Sequence, residues 1–362
     1  MDENNNLLKT TARLVVATLI IITMVVGKSF LIPLAWALLI GLSSYRFLNS
    51  IEEKTKIPRT LINTLFLVVL FLVLIGIGYF FFIEISHIFR DLPGLSETLS
   101  GRIHDISIAL KEFGIYIPDH IDKLYFSDWV TNHTNLVLDF IKVIGIDIWN
   151  IILIMFYMFF ILYYRDLVIQ FYMGKFQSID RLNLAKERFN KSLDLIRSYI
   201  FGLVTITLIS AVMNYAVLQI FGLKFPLFFG VFLAILNLIP FIGNPIGLLV
   251  IILFAFLTNE NSLIPLLIFV ALFVMNFIQD NVIRPWIVGD KLKMNAFVIF
   301  IAIIIGGMVW GVSGMILFIP IAGVVKIILE SNQKHGIYAI FFAEKPRKRK
   351  SQKINSEPEL ED

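Results

Sequence analysis

The sequence of 362 residues contains no cysteine, which excludes disulfides and thiolate metal centres. Charge is scarce. Asp, Glu, Lys and Arg together make up 16% of the chain, well below the roughly 25% of a soluble domain. Absent too are a nucleophile–base constellation, a carboxylate dyad and a phosphate-cradling loop, so nothing in the chain points to an enzyme or a nucleotide-driven pump. His87, His104, His120 and His133 are scattered through a charged segment without ligand spacing, and neither a metal nor a cofactor is expected. Short alternating segments of the β-barrel kind are missing. No cleavage pattern follows the first apolar run, Leu14 to Val26, so that run is expected to be retained as a span.

What is present is apolar. Hydrophobic residues make up 58% and the mean hydropathy is +0.83, which places the chain among all-α polytopic membrane proteins. The net charge of +4 sits in loops and tail, where it bears on topology and not on nucleic acid. Apolar runs with at most one charge place spans at 11–27, 30–48, 61–85, 148–164, 198–221 and 263–278. With the two long segments 225–257 and 296–329, that makes about eight membrane segments.

Residues 1–85 then form an N-terminal group of three spans. Residues 86–147 form an extracytoplasmic amphipathic segment, with a break expected at Leu92-Pro93-Gly94. Residues 148–197 hold the fourth span and a basic cytoplasmic stretch, 198–330 a C-terminal unit built on the long segments 225–257 and 296–329, and 331–362 a basic, disordered cytoplasmic tail. Lys and Arg counts place 49–60, 165–197 and the tail in the cytoplasm, and with them both termini.

The chain is organised around Phe225 to Leu257, 33 residues without a side-chain charge. A straight helix of that length would run about 50 Å, against a hydrocarbon core of about 30 Å. Pro240, Gly243, Pro245 and Gly247 fall near its midpoint. Proline costs a helix about 3 kcal/mol and frees a backbone carbonyl. Two half-length helices joined by a turn are the economical reading, and such a break needs protein or water around it. The stretch 296–329, interrupted by Gly306-Gly307, Gly311, Gly314 and Pro320, reads the same way. Single crossings would put Arg284, Lys291 and Lys293 outside, against the charge rule, whereas two re-entrant hairpins return that loop to the cytoplasm. The C-terminal half becomes an inverted repeat, 198–257 entering from one side and 263–329 from the other, a construction that secondary transporters share.

Several blocks of this half resemble one family. They are Tyr199-Ile200-Phe201-Gly202, Phe221-Gly222-Leu223 and Asn237-Leu238-Ile239-Pro240-Phe241-Ile242-Gly243. Further along come Gln279-Asp280-Asn281-Val282-Ile283-Arg284-Pro285-Trp286-Ile287-Val288-Gly289, Trp310-Gly311-Val312-Ser313-Gly314-Met315 and Ile319-Pro320-Ile321. Their order and spacing over 195–330 are similar to those of the AI-2E family of bacterial membrane transporters. Asn244 between Gly243 and Pro245, Leu203 after Gly202 and Ala296 depart from the family pattern. The resemblance implies a homo-oligomer, a pentamer among the options, in the bacterial inner membrane. It also implies export of a small solute such as autoinducer-2, or in other members Na+/Li+ exchange for protons. A membrane scaffold that transports nothing is the reading from another class.

Candidate residues follow from the breaks and from polar groups beside spans. Gly243 with Gly247, and Gly307 with Gly311, form small-xxx-small pairs that serve helix packing, a solute site, or both. Asn237 and Asn244 favour a site, because buried amides in hydrocarbon want partners. Gln279, Asp280, Asn281 and Arg284 make the densest polar cluster against a span. Asp280 and Arg284 stand one turn apart, either as an interfacial ion pair or as a gate in which Asp280 takes a proton or cation. Gly314 completes the second tip. The expected partners are the lipid bilayer, other copies of the chain, and a small molecule or ion.

Overall fold

Every regular element among the described residues is a helix, as a chain must be where no water is at hand for its N–H and C=O groups. The structure, a computed structural model, describes residues 2–112, 148–175, 178–259, 261, 263–288, 294–330 and 342. In order these are α1 (Asp2–Val26), α2 (Lys28–Thr55), α3 (Arg59–Glu112), α4 (Ile148–Tyr163), α5 (Arg165–Gly174) and α6 (Ile179–Ile220). Then come α7 (Pro226–Leu236), α8 (Gly243–Thr258), α9 (Leu263–Ile278), a π-helical turn (Gln279–Ile283), α10 (Arg284–Val288) and α11 (Ala296–Glu330). Five helices are long and apolar enough to cross a bilayer, or six if the pair α4–α5, bent by 61°, counts as one span. The chain is a multi-pass membrane protein.

Two expectations for the N-terminal half change. The apolar part of α1 is only Leu14–Val26, short of the roughly 20 residues a bilayer requires. The break at Leu92-Pro93-Gly94 does not occur, because α3 continues as one helix to Glu112. A proline inside a helix bends it without having to end it. The remainder of the amphipathic segment, from 113 to 147, lies outside the described residues, as does most of the basic tail.

Helix α6 is the axis of the molecule. Its 42 residues extend about 63 Å at 1.5 Å each, long enough for a basic first half, up to Arg197, ahead of the apolar part that begins at Ser198. One side of it joins α2 and α11 in a core of Leu39, Leu195, Ile196, Trp310 and Leu317. Its far end joins α7, α8, α9 and Ile85 of α3 around Leu218, Leu233, Ile251 and Leu272. A separate apolar cluster of Ala37, Leu48, Ile62, Met158 and Leu162 binds α2, α3 and α4.

That N-terminal group is closed at its polar end by charge. Arg165, buried at the bend between α4 and α5, pairs with Glu52, donates to Asn49 Oδ1 at 2.9 Å and lies 5.0 Å from the Tyr45 ring centre. Arg59 reaches Asp166 at 2.6 Å and Glu52 at 3.2 Å. Few of these residues stand out in sequence, because their meeting needs three helix ends in one place.

The C-terminal half contains two chain reversals. Helices α7 and α8 lie antiparallel: Phe229 meets Phe254 with ring centres 4.5 Å apart, while nearer the turn Gly247 faces Leu233 and Gly243 faces Leu236. Helix α11 folds on itself at Gly311, whose φ of 61° and ψ of −142° no helix contains. Beyond that point Gly306 and Gly314 touch backbone to backbone, and Ile303 and Ile319 share a core with Tyr199. The arms of the first reversal are too short to cross alone. The 11 and 16 residues of α7 and α8 extend about 17 and 24 Å.

Candidate functional site

The site begins at the turn between α7 and α8. Three carbonyl-to-amide contacts close the chain after α7, at Asn237 on Leu233 (2.9 Å), Leu238 on Ile235 (3.0 Å) and Ile239 on Leu236 (2.9 Å). Phe241 then takes a positive φ of 65°, and α8 starts at Gly243. A Cβ on Gly243 would stand 1.6 Å from the Leu236 carbonyl oxygen, so backbone meets backbone here and only glycine fits. Pro245 is the third residue of α8, where the first turn has no carbonyl waiting for its missing N–H. Gly247 presses on Leu233 Cδ1, which a Cβ would approach to 2.5 Å.

Asn244 follows Gly243 directly and is held from across the molecule. Asn276 of α9 donates from Nδ2 to Asn244 Oδ1 at 2.8 Å. One turn along the same face, Gln279 is fully buried. Its Oε1 accepts from Ser210 Oγ at 2.6 Å, and its Nε2 donates to Asn214 Oδ1 at 3.4 Å, both on α6. Five neutral polar side chains from α6, α8, α9 and the π-helical turn thus gather inside the apolar half. Two of their atoms, Asn214 Nδ2 and Asn276 Oδ1, are buried without a hydrogen-bond partner among the described residues. One donor and one acceptor therefore remain, in surroundings where each unmade hydrogen bond is expensive. Such a set can exchange hydrogen bonds with a neutral hydroxylated or carbonyl-bearing solute.

Gln279 and Asp280 part company as successive helical residues do, about 100° apart around the axis, at the start of the π-helical turn. Gln279 points inward, whereas Asp280 is half exposed and pairs with Arg284 at 3.1 Å. Asn281 turns away as well and donates to its own helix, at Phe277 O, 2.8 Å. Asn237 and Pro240 stay in the turn, half-buried and apart from the amide network.

The second reversal is built differently. Gly311 sits at its tip with nothing within 4 Å of a Cβ, so the requirement there is backbone conformation. Close approach falls to Gly306 and Gly314, whose Cβ atoms would meet each other's carbonyl oxygens at 2.2 and 1.9 Å. Gly307 faces only the flexible Met315 side chain, so the expected pairing of Gly307 with Gly311 gives way to Gly306 with Gly314. The tip is anchored by Trp310, whose Nε1 donates to Met24 O at 3.0 Å. Tyr199 of α6 donates to Ile316 O at 2.9 Å. Phe241, at the first turn, packs edge-on to Phe300 near the open end of the second, with ring centres 5.9 Å apart.

Ser210, Asn214 and Asn276 were invisible as a set in the sequence. Each is a single polar residue in an apolar run, and Ser210 and Asn214 stand four apart, which was the available sign. The segment 263–278 reads as a plain span, yet it carries Asn276.

Comparison with known proteins adds a family. The AI-2E family transporter model matches residues 14–334. The Bacillus subtilis protein YrrI is 33% identical over 136 residues, 38% of each chain. YueF of the same organism is 23% identical over 316 residues, 82% of this chain and 84% of its own. The AI-2 transport protein TqsA of Escherichia coli is 22% identical over 312 residues, 84% of this chain and 86% of its own.

Proposed function

The chain belongs to the AI-2E transporter family, and from that premise we propose a secondary transporter that carries a small hydrophilic organic solute across the bacterial inner membrane. Its two reversals act as re-entrant hairpins; α11 is already among the six candidate spans, so the first hairpin makes seven membrane segments, and the shorter apolar run of α1 would make about eight. Opposite entry is supported by α6. The first hairpin leaves from the C-terminal end of that helix, where Gly230 backs onto Tyr215. The open end of the second lies beside its N-terminal half, where Gly323 backs onto Leu195. Contact between the Phe241 tip and Phe300 fits two hairpins pointing in opposite directions. Lys and Arg counts then put both termini, the basic end of α6 and Arg284 in the cytoplasm. Copies of the chain assemble through the apolar faces that the single chain leaves open.

The observation that carries the solute class is the buried set Ser210, Gln279 and Asn214 together with buried Asn276 and its half-buried partner Asn244. It holds polar groups and no charge at the moving tip of a hairpin. Tilting of the first hairpin breaks Asn276–Asn244 and opens the network to one side; movement of the second opens it to the other. Autoinducer-2, named for the Escherichia coli relative, is the first solute to try. Proton-coupled Na+ or Li+ exchange fits less well, because the nearest carboxylate, Asp280, is turned outward and paired. The test is uptake into vesicles reconstituted with wild type and with Gln279→Leu. Saturable flux of a neutral hydroxylated solute, lost in the variant, supports the reading. Flux of Na+ or Li+ alone, or no flux of anything, overturns it.

A further inference from the structure

At the polar end of α6 a cavity of about 710 Å³ opens between that helix, α10 and the last turns of α11. That volume is within the range of small-molecule sites. Its wall carries Lys191, Arg197 and Ser198 from α6 and Lys326 from α11. Lys326 is buried, and its ion pair with Glu330 is long, at 3.7 Å. The other acid on the wall, Asp194, is taken by Arg46 at 2.5 Å. Lys191 is held by Glu187 at 2.6 Å at the rim. Arg197 has no acidic partner among the described residues. The balance at this end of the cavity is positive.

The other end is apolar. Phe201 lines the cavity one turn beyond Arg197 and is exposed. Above it Val204, Leu208 and Val212 are exposed at helical spacing, a continuous hydrocarbon stripe that starts where the cations stop. A soluble anion would use the cations and ignore the stripe. A ligand with a phosphate and an acyl chain uses both, and basic pockets at the ends of membrane helices suit anionic headgroups.

We infer that this cavity is a binding site for an anionic phospholipid, with its phosphate at Arg197, Ser198 and Lys326 and one acyl chain along Phe201, Val204, Leu208 and Val212. The site does not depend on which solute is carried. It ties α6 to the closing arm of the second hairpin, so an occupied site holds that arm in place.

The test uses purified full-length protein in nonionic detergent, titrated with phosphatidylglycerol, phosphatidylcholine or inorganic phosphate. Bound lipid is counted by native mass spectrometry, and oligomer size is followed in parallel. Phosphatidylglycerol should bind with preference over phosphatidylcholine, and Arg197→Gln should weaken it about fivefold, the loss of one cation near a phosphate. Arg197 is exposed, so that variant keeps its fold, and Lys191→Gln at the rim should lose less. Equal binding of both lipids, or unchanged affinity in Arg197→Gln, overturns the site. Displacement of phosphatidylglycerol by millimolar phosphate alone would make the ligand a free oxyanion and overturn the lipid. A change of oligomer size with Phe201→Ser, without loss of lipid, would assign the stripe to a second copy and also overturn it.

Discussion

Asn276 of α9 holds Asn244 by a single 2.8 Å hydrogen bond, so the start of α8 hangs from a neighbouring span by one amide pair. The backbone around Asn244 is already broken, and Gly243 beside it admits no side chain. A contact of this size is strong enough to set a position and weak enough to break and re-form. Interhelical hydrogen bonds in membranes contribute about 0.6 kcal/mol on average and roughly 1.7 at most.

Replacing Asn276 with Leu keeps the volume and removes the bond. Stability in detergent should fall by about 1 kcal/mol, while solute flux in vesicles falls far more steeply. Flux that stays at the wild-type level would show that the tip does not need this tether.

The two tip glycines should fail for different reasons. Gly243→Ala places a methyl group 1.6 Å from a carbonyl oxygen, so the first reversal cannot close and folded protein should be lost. Gly311→Ala meets nothing, but its φ of 61° is strained for alanine, at about 1–3 kcal/mol. That variant should be folded, with a lowered melting temperature. Gly306→Ala should resemble Gly243→Ala. Equal yields of all three proteins would contradict the close approach.

Asp280→Asn is expected to be mild. Its partner Arg284 is one turn away and both are partly solvated, and such pairs contribute about 0–1 kcal/mol. Protein level, oligomer and flux should remain near wild type, and vesicle uptake with and without a pH gradient checks this. Loss of gradient-driven uptake in a folded Asp280→Asn protein would restore a coupling role to the carboxylate.

Because the chain has no cysteine, sidedness can be read from single introduced thiols. Lys224→Cys, before the first hairpin, should react with an impermeant reagent in intact cells. Trp286→Cys on α10, where the side chain is exposed, should react only after the cells are opened. Labelling of Trp286→Cys from outside would overturn both re-entrant hairpins at once and restore single crossings.

Much of this protein is local and therefore legible. Apolar length marks the helices, because a bilayer demands about 20 residues whatever surrounds them. Pro240, Gly243 and Gly311 mark the reversals, since their effect on the backbone needs no distant partner. Pro93 shows the limit of the same argument. A proline only disfavours a helix, and the long α3 continues past it.

The sequence by itself determined the class, the positions of both reversals and the polar residues available. Tertiary structure decided which of them meet. Ser210 reaches Gln279 across 69 positions and Asn244 reaches Asn276 across 32, and no spacing rule relates such pairs. Which polar residue faces inward is set by the rotation of each helix about its axis, which turns Gln279 in and its neighbour Asp280 out. The same holds for Gly306, which outranks its neighbour Gly307 only because the folded arm presents Gly314 to that side. Rotation and approach are settled when helices pack, because close contact selects the faces that fit.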